Sequence, residues 1–307
     1  MSGSEKNQIV SSKSGAQALP ADAYWTPERR AAAKPVPPPK PGPGEKKAQA
    51  AEKAQAEGGV EPGHTSSGKP RSAKPGAEPK AAPDAAGGNP VSDPKVYPYS
   101  TCGKLFFSQD GHDYAGSAAV VSRNVILTAG HCVHKGGGGS WSSNVAFYPS
   151  YPLIPLHFSY NFLAAWTAFT NNGNRAFDYG MIWVDNNPGD PLGWLGLLWN
   201  ASTSNRTWDA VGYPATPSPP FDGNRMDEAR GTFASSTTAG IIGLNNDNME
   251  HGSSGGPWIT DFNGAAEYAN GLQSFHNHDG DFVEYGPYFT ADVKRLFDWI
   301  SDPANRH

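Results

Sequence analysis

The stretch Gly252-Ser253-Ser254-Gly255-Gly256-Pro257 sets a serine hydroxyl among glycines. Glycine tolerates backbone angles that other residues resist, and it lets a substrate carbonyl come close to main-chain N–H groups. A serine hydroxyl is a poor nucleophile unless a base takes its proton, and the oxyanion that forms needs fixed donors. Ser254 therefore makes a demand on the rest of the chain: a base, and a group to orient that base. His131 is the candidate base, in Leu127-Thr128-Ala129-Gly130-His131-Cys132, after the apolar residues Ala118-Ala119-Val120-Val121 and Val125-Ile126. Imidazole titrates near neutrality, which suits a base that later acts as an acid. Asp178 is the candidate orienter, at the mouth of the apolar run Tyr179-Gly180-Met181-Ile182-Trp183-Val184. A carboxylate there must be hydrogen-bonded, and a histidine Nδ1–H would satisfy it. Asp185 and Asp190 fit less well, because they follow the apolar run in a turn-rich segment. Each residue also has a plainer reading: a core histidine, a strand-end acid, a glycine-rich turn. Their joint occurrence favours acyl-transfer chemistry.

The chain order His131, Asp178, Ser254 is one of the three unrelated orders in which such triads recur. Thr128-Ala129-Gly130-His131-Cys132 together with Gly252-Ser253-Ser254-Gly255-Gly256-Pro257 resembles the trypsin/chymotrypsin-like serine peptidases. The scarcity of cysteine and Gly103-Lys104-Leu105-Phe106-Phe107 are more similar to the bacterial and fungal glutamyl-endopeptidase-like branch. The resemblance covers residues 97–307. It implies an all-β fold of two six-stranded antiparallel barrels with a C-terminal helix. It implies a secreted serine endopeptidase, with Ser254 as nucleophile, His131 as general base and acid, Asp178 as orienter, and an oxyanion hole of the Gly252 and Ser254 N–H groups. No metal and no organic cofactor are required.

By the same resemblance, Asn248 and Met249 lie at the base of the substrate pocket and His251 flanks its entrance. Gln273, Ser274 and Phe275 form one wall, and Gly286 with Pro287 and Tyr288 the other. Trypsin-type enzymes carry an acid where Asn248 stands, so nothing fixed would offset desolvation of a Lys or Arg side chain. Glutamyl endopeptidases carry a histidine where Gln273 stands, and glutamine brings no charge. His276 and His278 are candidates to compensate, or are solvated loop residues; the His276-Asn277-His278-Asp279 pattern lacks the fuller ligand set of a structural zinc site. Ser253 replaces an aspartate that in many family members pairs with a new N-terminal ammonium. Activation by that ion pair is therefore not expected, and cleavage ahead of Val96-Tyr97-Pro98 would instead remove a pro-segment.

The family commonly has a half-cystine where Cys132 stands, and the usual partner position here is Ala115. A disulfide from Cys132 to Cys102 is the expectation, two buried free thiols the alternative. A disulfide would imply an oxidising, extracellular setting. Met1 to Pro20 has no apolar core of a signal peptide, and no run approaches the length of a membrane span.

The elements that must position these residues lie in the second of two unlike parts. Residues 1–96 hold 15 of the 28 prolines, two aromatics (Tyr24 and Trp25), and 14 Lys and Arg against 10 Asp and Glu. Residues 97–307 hold 10 Lys and Arg against 19 Asp and Glu. So few apolar groups cannot offset the entropy of ordering, so a largely disordered Pro/Ala/Lys-rich tail or pro-segment is expected. Residues 35–43 should be extended and polyproline-like. Ala23-Tyr24-Trp25-Thr26-Pro27-Glu28-Arg29-Arg30 stands apart and is similar to a segment near the N-terminus of related secreted bacterial peptidases. It is read either as a docking motif or as a short exposed one. Residues 97–307 are long enough for a substantial core. Short β-type runs, residues 104–107, 145–148 and 181–184, favour an all-β domain. Val293, Leu296, Phe297 and Ile300 follow helical spacing, with Thr290 as N-cap, and the resemblance implies that this helix packs on the second barrel. The expected partners are polypeptide substrates, with no nucleic acid, and the chain is expected to be a monomer. Two other readings stay open: a catalytically silent relative that binds proteins through the same groove, and a surface-associated protein acting through its tail.

Overall fold

A computed structural model describes residues 7–15, 21–42, 61–71, 87–218, 220–260, 267–277 and 282–306. His278 lies outside them. The Cys102–Gln109 strand is buried at every position, which its apolar run and central place in the first sheet explain. It pairs antiparallel with His112–Val120 on one side and Ser143–Pro149 on the other. Val125–Thr128, Gly180–Trp183 and Phe162–Trp166 continue the sheet antiparallel from His112–Val120. The second sheet orders Gly196–Trp199, Tyr268–Leu272, Pro257–Thr260, Thr207–Gly212 and Asp227–Thr232. Ile241–Asn245 and Val283–Pro287 form a separate antiparallel pair beside it. Two pairings depart from the antiparallel expectation, each over two residues: Gly196–Trp199 runs parallel to Tyr268–Leu272, and Lys34–Pro35 of the tail runs parallel to His112–Val120. Two curled, mainly antiparallel sheets with few helices are the expected chymotrypsin-like double barrel. One core gathers the first sheet and part of the second, and a smaller one is built on Trp208, Phe221, Leu244, Met249 and Trp258.

The C-terminal helix spans Ala291–Ser301, capped by the Thr290 hydroxyl, which accepts from the Asp292 N–H at 3.2 Å. Val293, Leu296 and Ile300 are buried as the spacing predicts, and Phe297 is partly so. Its seat differs from the expectation. The helix packs on Phe162–Trp166 and Gly180–Trp183 of the first sheet and on Gly196–Trp199 of the second. Its apolar stripe completes the larger core, and the Arg295 guanidinium lies 5.1 Å from the Trp166 ring centre.

Parts of the tail pair with the barrels, which composition did not foresee. Ile9–Lys13 adds an antiparallel strand to Phe162–Trp166, and Gly63–His64 adds one to Gly196–Trp199. Asn89–Pro90 pairs with Asp227–Thr232, so the compositional boundary at residue 97 is not a structural one. Trp25 is fully buried in a cluster with Phe106, Ala146 and Tyr148. The tail does not need a core of its own, because open sheet edges and one apolar pocket on the barrels supply partners for its backbone and its aromatics.

The disulfide expectation is corrected: Cys102 and Cys132 are both free and buried. A Cβ on Gly116 would lie 3.0 Å from the Cys132 sulfur, so that thiol points at Gly116. Gly116 pairs with Leu105, three residues along the strand from Cys102. Three strand residues are roughly 10 Å, beyond the ~7 Å between Cα atoms that a disulfide spans. Burial pushes the Cys102 thiol up to about 12 and raises Cys132 as well. Titration with a thiol reagent should find no reactive thiol in the folded protein and two in urea without reductant; none in urea would restore the disulfide.

Candidate active site

His131 lies in the single turn Gly130–Val133 that follows the Val125–Thr128 strand, and Asp178 caps the short 3-10 turn Arg175–Phe177 ahead of Gly180–Trp183. Those two strands pair directly, Gly180 opposite Thr128, and this brings the residues together. Asp178 Oδ1 accepts the His131 main-chain N–H at 2.7 Å, and Asp178 Oδ2 lies 2.8 Å from His131 Nδ1. The Ser274 hydroxyl donates to the same Oδ2 at 2.5 Å. Asp178 is fully buried, so these three contacts replace its lost hydration. The carboxylate then holds both the backbone and the ring of His131. The other ring nitrogen, Nε2, is buried and meets no hydrogen-bond partner among the described residues, Ser254 included. Such bonds are often loose without substrate.

The serine turn is held by its main chain. Ser254 O accepts from the Ser117 N–H at 2.7 Å, and the Ser117 hydroxyl donates to Gly252 O at 2.9 Å while accepting from the Tyr213 N–H. Gly252 has φ +99° and Gly255 φ +85°, where an L side chain is strained. A Cβ on Gly255 would also lie 2.2 Å from the Thr128 hydroxyl. Both positions thus require glycine, as the motif suggested. The N–H groups of Gly252 and Ser254 donate to no acceptor among the described residues. Ser253, where the resemblance would place an aspartate, turns inward, its hydroxyl 2.7 Å from Met249 O and 2.6 Å from Glu250 O. It ties the turn locally where an ion pair is impossible.

The residues expected around the pocket divide. Phe275 stacks on Tyr285 with 5.6 Å between ring centres, under the Arg175 guanidinium. His251 and His276 lie edge to face, 5.0 Å apart. Gly286 packs so closely on Leu272 O that a Cβ would lie 2.0 Å from it. Asn248, Met249 and Gln273 each have partners of their own. The Asn248 Oδ1 accepts the Gly88 N–H at 2.7 Å, and Met249 is fully buried in the smaller core. Gln273 is fully buried, accepting from the Trp258 indole and donating to Asp247 Oδ2, both at 2.9 Å. Ser274 is a hydrogen-bond partner of Asp178. Ser117, Asp247 and Gln109, whose side-chain amide donates to His131 O at 2.9 Å, were missed, because single polar residues inside apolar runs give no periodic or motif signal.

Asp247 is almost wholly buried, and burial pushes its carboxyl up to about 7, against the pull of the Met249 N–H and the Gln273 amide. Glu284 is raised too, by burial and by the nearby Asp247 charge. A carboxyl raised in the folded state stabilises the fold at low pH and loses that contribution as pH climbs toward and through 7. Urea unfolding should therefore show a loss of stability from pH 5 to pH 8, and Asp247→Asn should lessen it. Each pKa unit is about 1.4 kcal/mol, so the relief is on the order of a few kcal/mol at pH 8. His134, pushed down to about 4 by burial, works the other way but is common to both proteins. An unchanged pH slope would refute the assignment.

Known proteins share the fold that carries this geometry. No family model matches the chain. A thermostable serine protease, AL20, from an extremophilic microorganism is 27% identical, with a TM-score of 0.60 over 66% of this chain and 97% of that one. The protease Anisep from Arthrobacter nicotinovorans is 28% identical, with a TM-score of 0.59 over 64% and 94%. A Glu endopeptidase shares the fold, with a TM-score of 0.60 at 19% identity over 73% and 99%. An extracellular metalloprotease of Bacillus subtilis is 27% identical over 121 residues, 37% of this chain and 38% of that protein, so the chain spans well under half the length of this curated relative. Among the described residues, no three His, Cys, Asp or Glu side chains converge as a metal-binding set.

Proposed function

We propose that this chain, which has the trypsin/chymotrypsin-like serine protease fold and a Glu endopeptidase among the structures sharing it, is a secreted serine endopeptidase that works through an acyl-enzyme. The observation that carries the reading is the double hold of Asp178 on His131, by main chain and ring, with Nε2 left unpartnered. Ser254 Oγ attacks the substrate carbonyl carbon and its proton passes to His131 Nε2. Asp178 keeps the proton of the neutral ring on Nδ1 and stabilises the imidazolium that forms. The Gly252 and Ser254 N–H groups receive the developing oxyanion. Collapse expels the amine, which takes the proton from His131, and water then releases the acyl group by the same steps. Residues 97–307 carry this machinery, and the substrates are polypeptides.

Secretion is supported by the extracellular relative from Bacillus subtilis, and among the described residues no helix is long and apolar enough to cross a membrane. A fluorophosphonate probe should label the folded protein once, and Ser254→Ala should abolish the labelling. Folded protein that takes no label would sink the reading.

A further inference from the structure

The tail crosses the site just described. Lys34–Pro35 pairs with Tyr114 and Ala115 in a parallel register, and the Val36 N–H donates to Ala115 O at 3.0 Å. The Val36 side chain is buried in the larger core. Residues 36–42 then pass beside the base, enclosing with His131, Tyr114, Lys135 and Phe169 a cavity of about 550 Å³. At the far end the backbone closes on the loop holding Gly173, since a Cβ on Gly42 would lie 2.2 Å from Asn172 O. Nearer the serine turn, Arg30, Ala33 and Pro35 line a second cavity, about 100 Å³, with Gly252 on its wall. One continuous stretch thus faces both the proton carrier and an oxyanion donor, the groups between which a scissile bond must lie.

We propose that residues 30–42 are an autoinhibitory strap, which an extended polypeptide must displace to reach Ser254. The proposal rests on the serine endopeptidase reading. Five of the nine residues 34–42 are proline. Proline fixes φ and lacks an N–H, so the strap is stiff, extended and poor in the donors that a ladder needs. A prolyl nitrogen also carries its ring where a leaving amine would carry a hydrogen, which crowds the atom that His131 must protonate and protects the strap from the site it covers. The strap is held by the segment before it. Trp25 is fully buried beside Phe106 and Tyr148, with its indole N–H donating to Asn144 O at 2.6 Å. Tyr24 and Arg29 meet Asp113 at 3.0 Å and 2.9 Å. The paired aromatics that stand out in an otherwise low-complexity tail are thus the anchor of the strap.

Two variants release it at different points. Trp25→Ala removes the anchor, and Val36→Asp places a charge in the apolar seat of the strap while leaving the anchor alone. A substrate that binds only the open form is turned over in proportion to the open fraction, so casein cleavage should rise about tenfold or more in both variants. Labelling of Ser254 by a small fluorophosphonate, which needs room for few atoms, should change far less. Seating of the strap is read without activity, by hydrogen exchange at the Val36 amide, which should be protected in the parent and open in Val36→Asp. A Val36 amide exchanging at open-chain rate in the parent would overturn the proposal, as would labelled variants that cleave casein no faster than the parent. If no form is labelled at Ser254, the hydrolase reading fails first and the inhibitory role falls with it, while Val36 protection still reports whether the strap is seated.

Discussion

Ser254→Ala should leave a folded protein without the proposed protease activity, with kcat lowered on the order of a millionfold, as when the nucleophile of a comparable triad is removed. The structure explains why the fold should survive. The turn is held by main-chain groups, Ser254 O to the Ser117 N–H and the Cys132 thiol, and by the Ser117 hydroxyl on Gly252 O. Removing the Ser254 Oγ disturbs none of them. Urea unfolding should superimpose on that of the parent, while casein cleavage and fluorophosphonate labelling are lost together. Activity retained in the variant would move the chemistry to another residue.

Asp178→Asn should lower kcat by about 10⁴-fold with little change in KM. An amide has one oxygen where the carboxylate has two. The His131 main-chain N–H and the Ser274 hydroxyl both donate to Asp178, and the His131 N–H is the stricter demand because its backbone cannot rotate away. Asparagine therefore keeps its oxygen toward the His131 N–H and turns its NH₂ toward Nδ1. Nδ1 must then accept, which moves the ring proton to Nε2, the atom that has to take the proton from Ser254. Nitrogen NMR of the imidazole should show this change of tautomer along with the loss of rate. An unchanged tautomer with a normal rate would show that Asp178 does not orient the base.

The candidate site was legible because its backbone requirements are written in residue types. Gly252 and Gly255 occupy left-handed conformations, one of them against a threonine hydroxyl, and only glycine fits there. His131 and Asp178 sit at the ends of apolar runs that had to be strands, and the pairing of those strands brings them together. The C-terminal helix was legible in its 3.6-residue spacing and its threonine cap. Its seat was not, since spacing identifies an apolar face without naming the surface that covers it.

The pocket residues mark the boundary most clearly. Position relative to the serine motif put Asn248, Met249 and Gln273 around the substrate. Tertiary contacts gave Asn248 to the Gly88 N–H, Met249 to the smaller core, and Gln273 to Trp258 and Asp247. An amide or a thioether has no fixed direction in sequence, and which partner it meets depends on loops far along the chain. Cys102 and Cys132 repeat the lesson. The resemblance suggested a pairing, and a three-residue offset along the strand leaves both thiols free. The tail repeats it in the opposite direction. Its composition cannot build a core, yet it is ordered wherever it meets an edge strand or an apolar pocket that the barrels already provide. Sequence alone determined the β architecture and nominated a nucleophile, a base and an orienter, because local backbone demands and strand patterning encode them. The tertiary structure decided what each polar side chain bonds to and where the tail lies, because those depend on register and on surfaces that exist only once the barrels are folded.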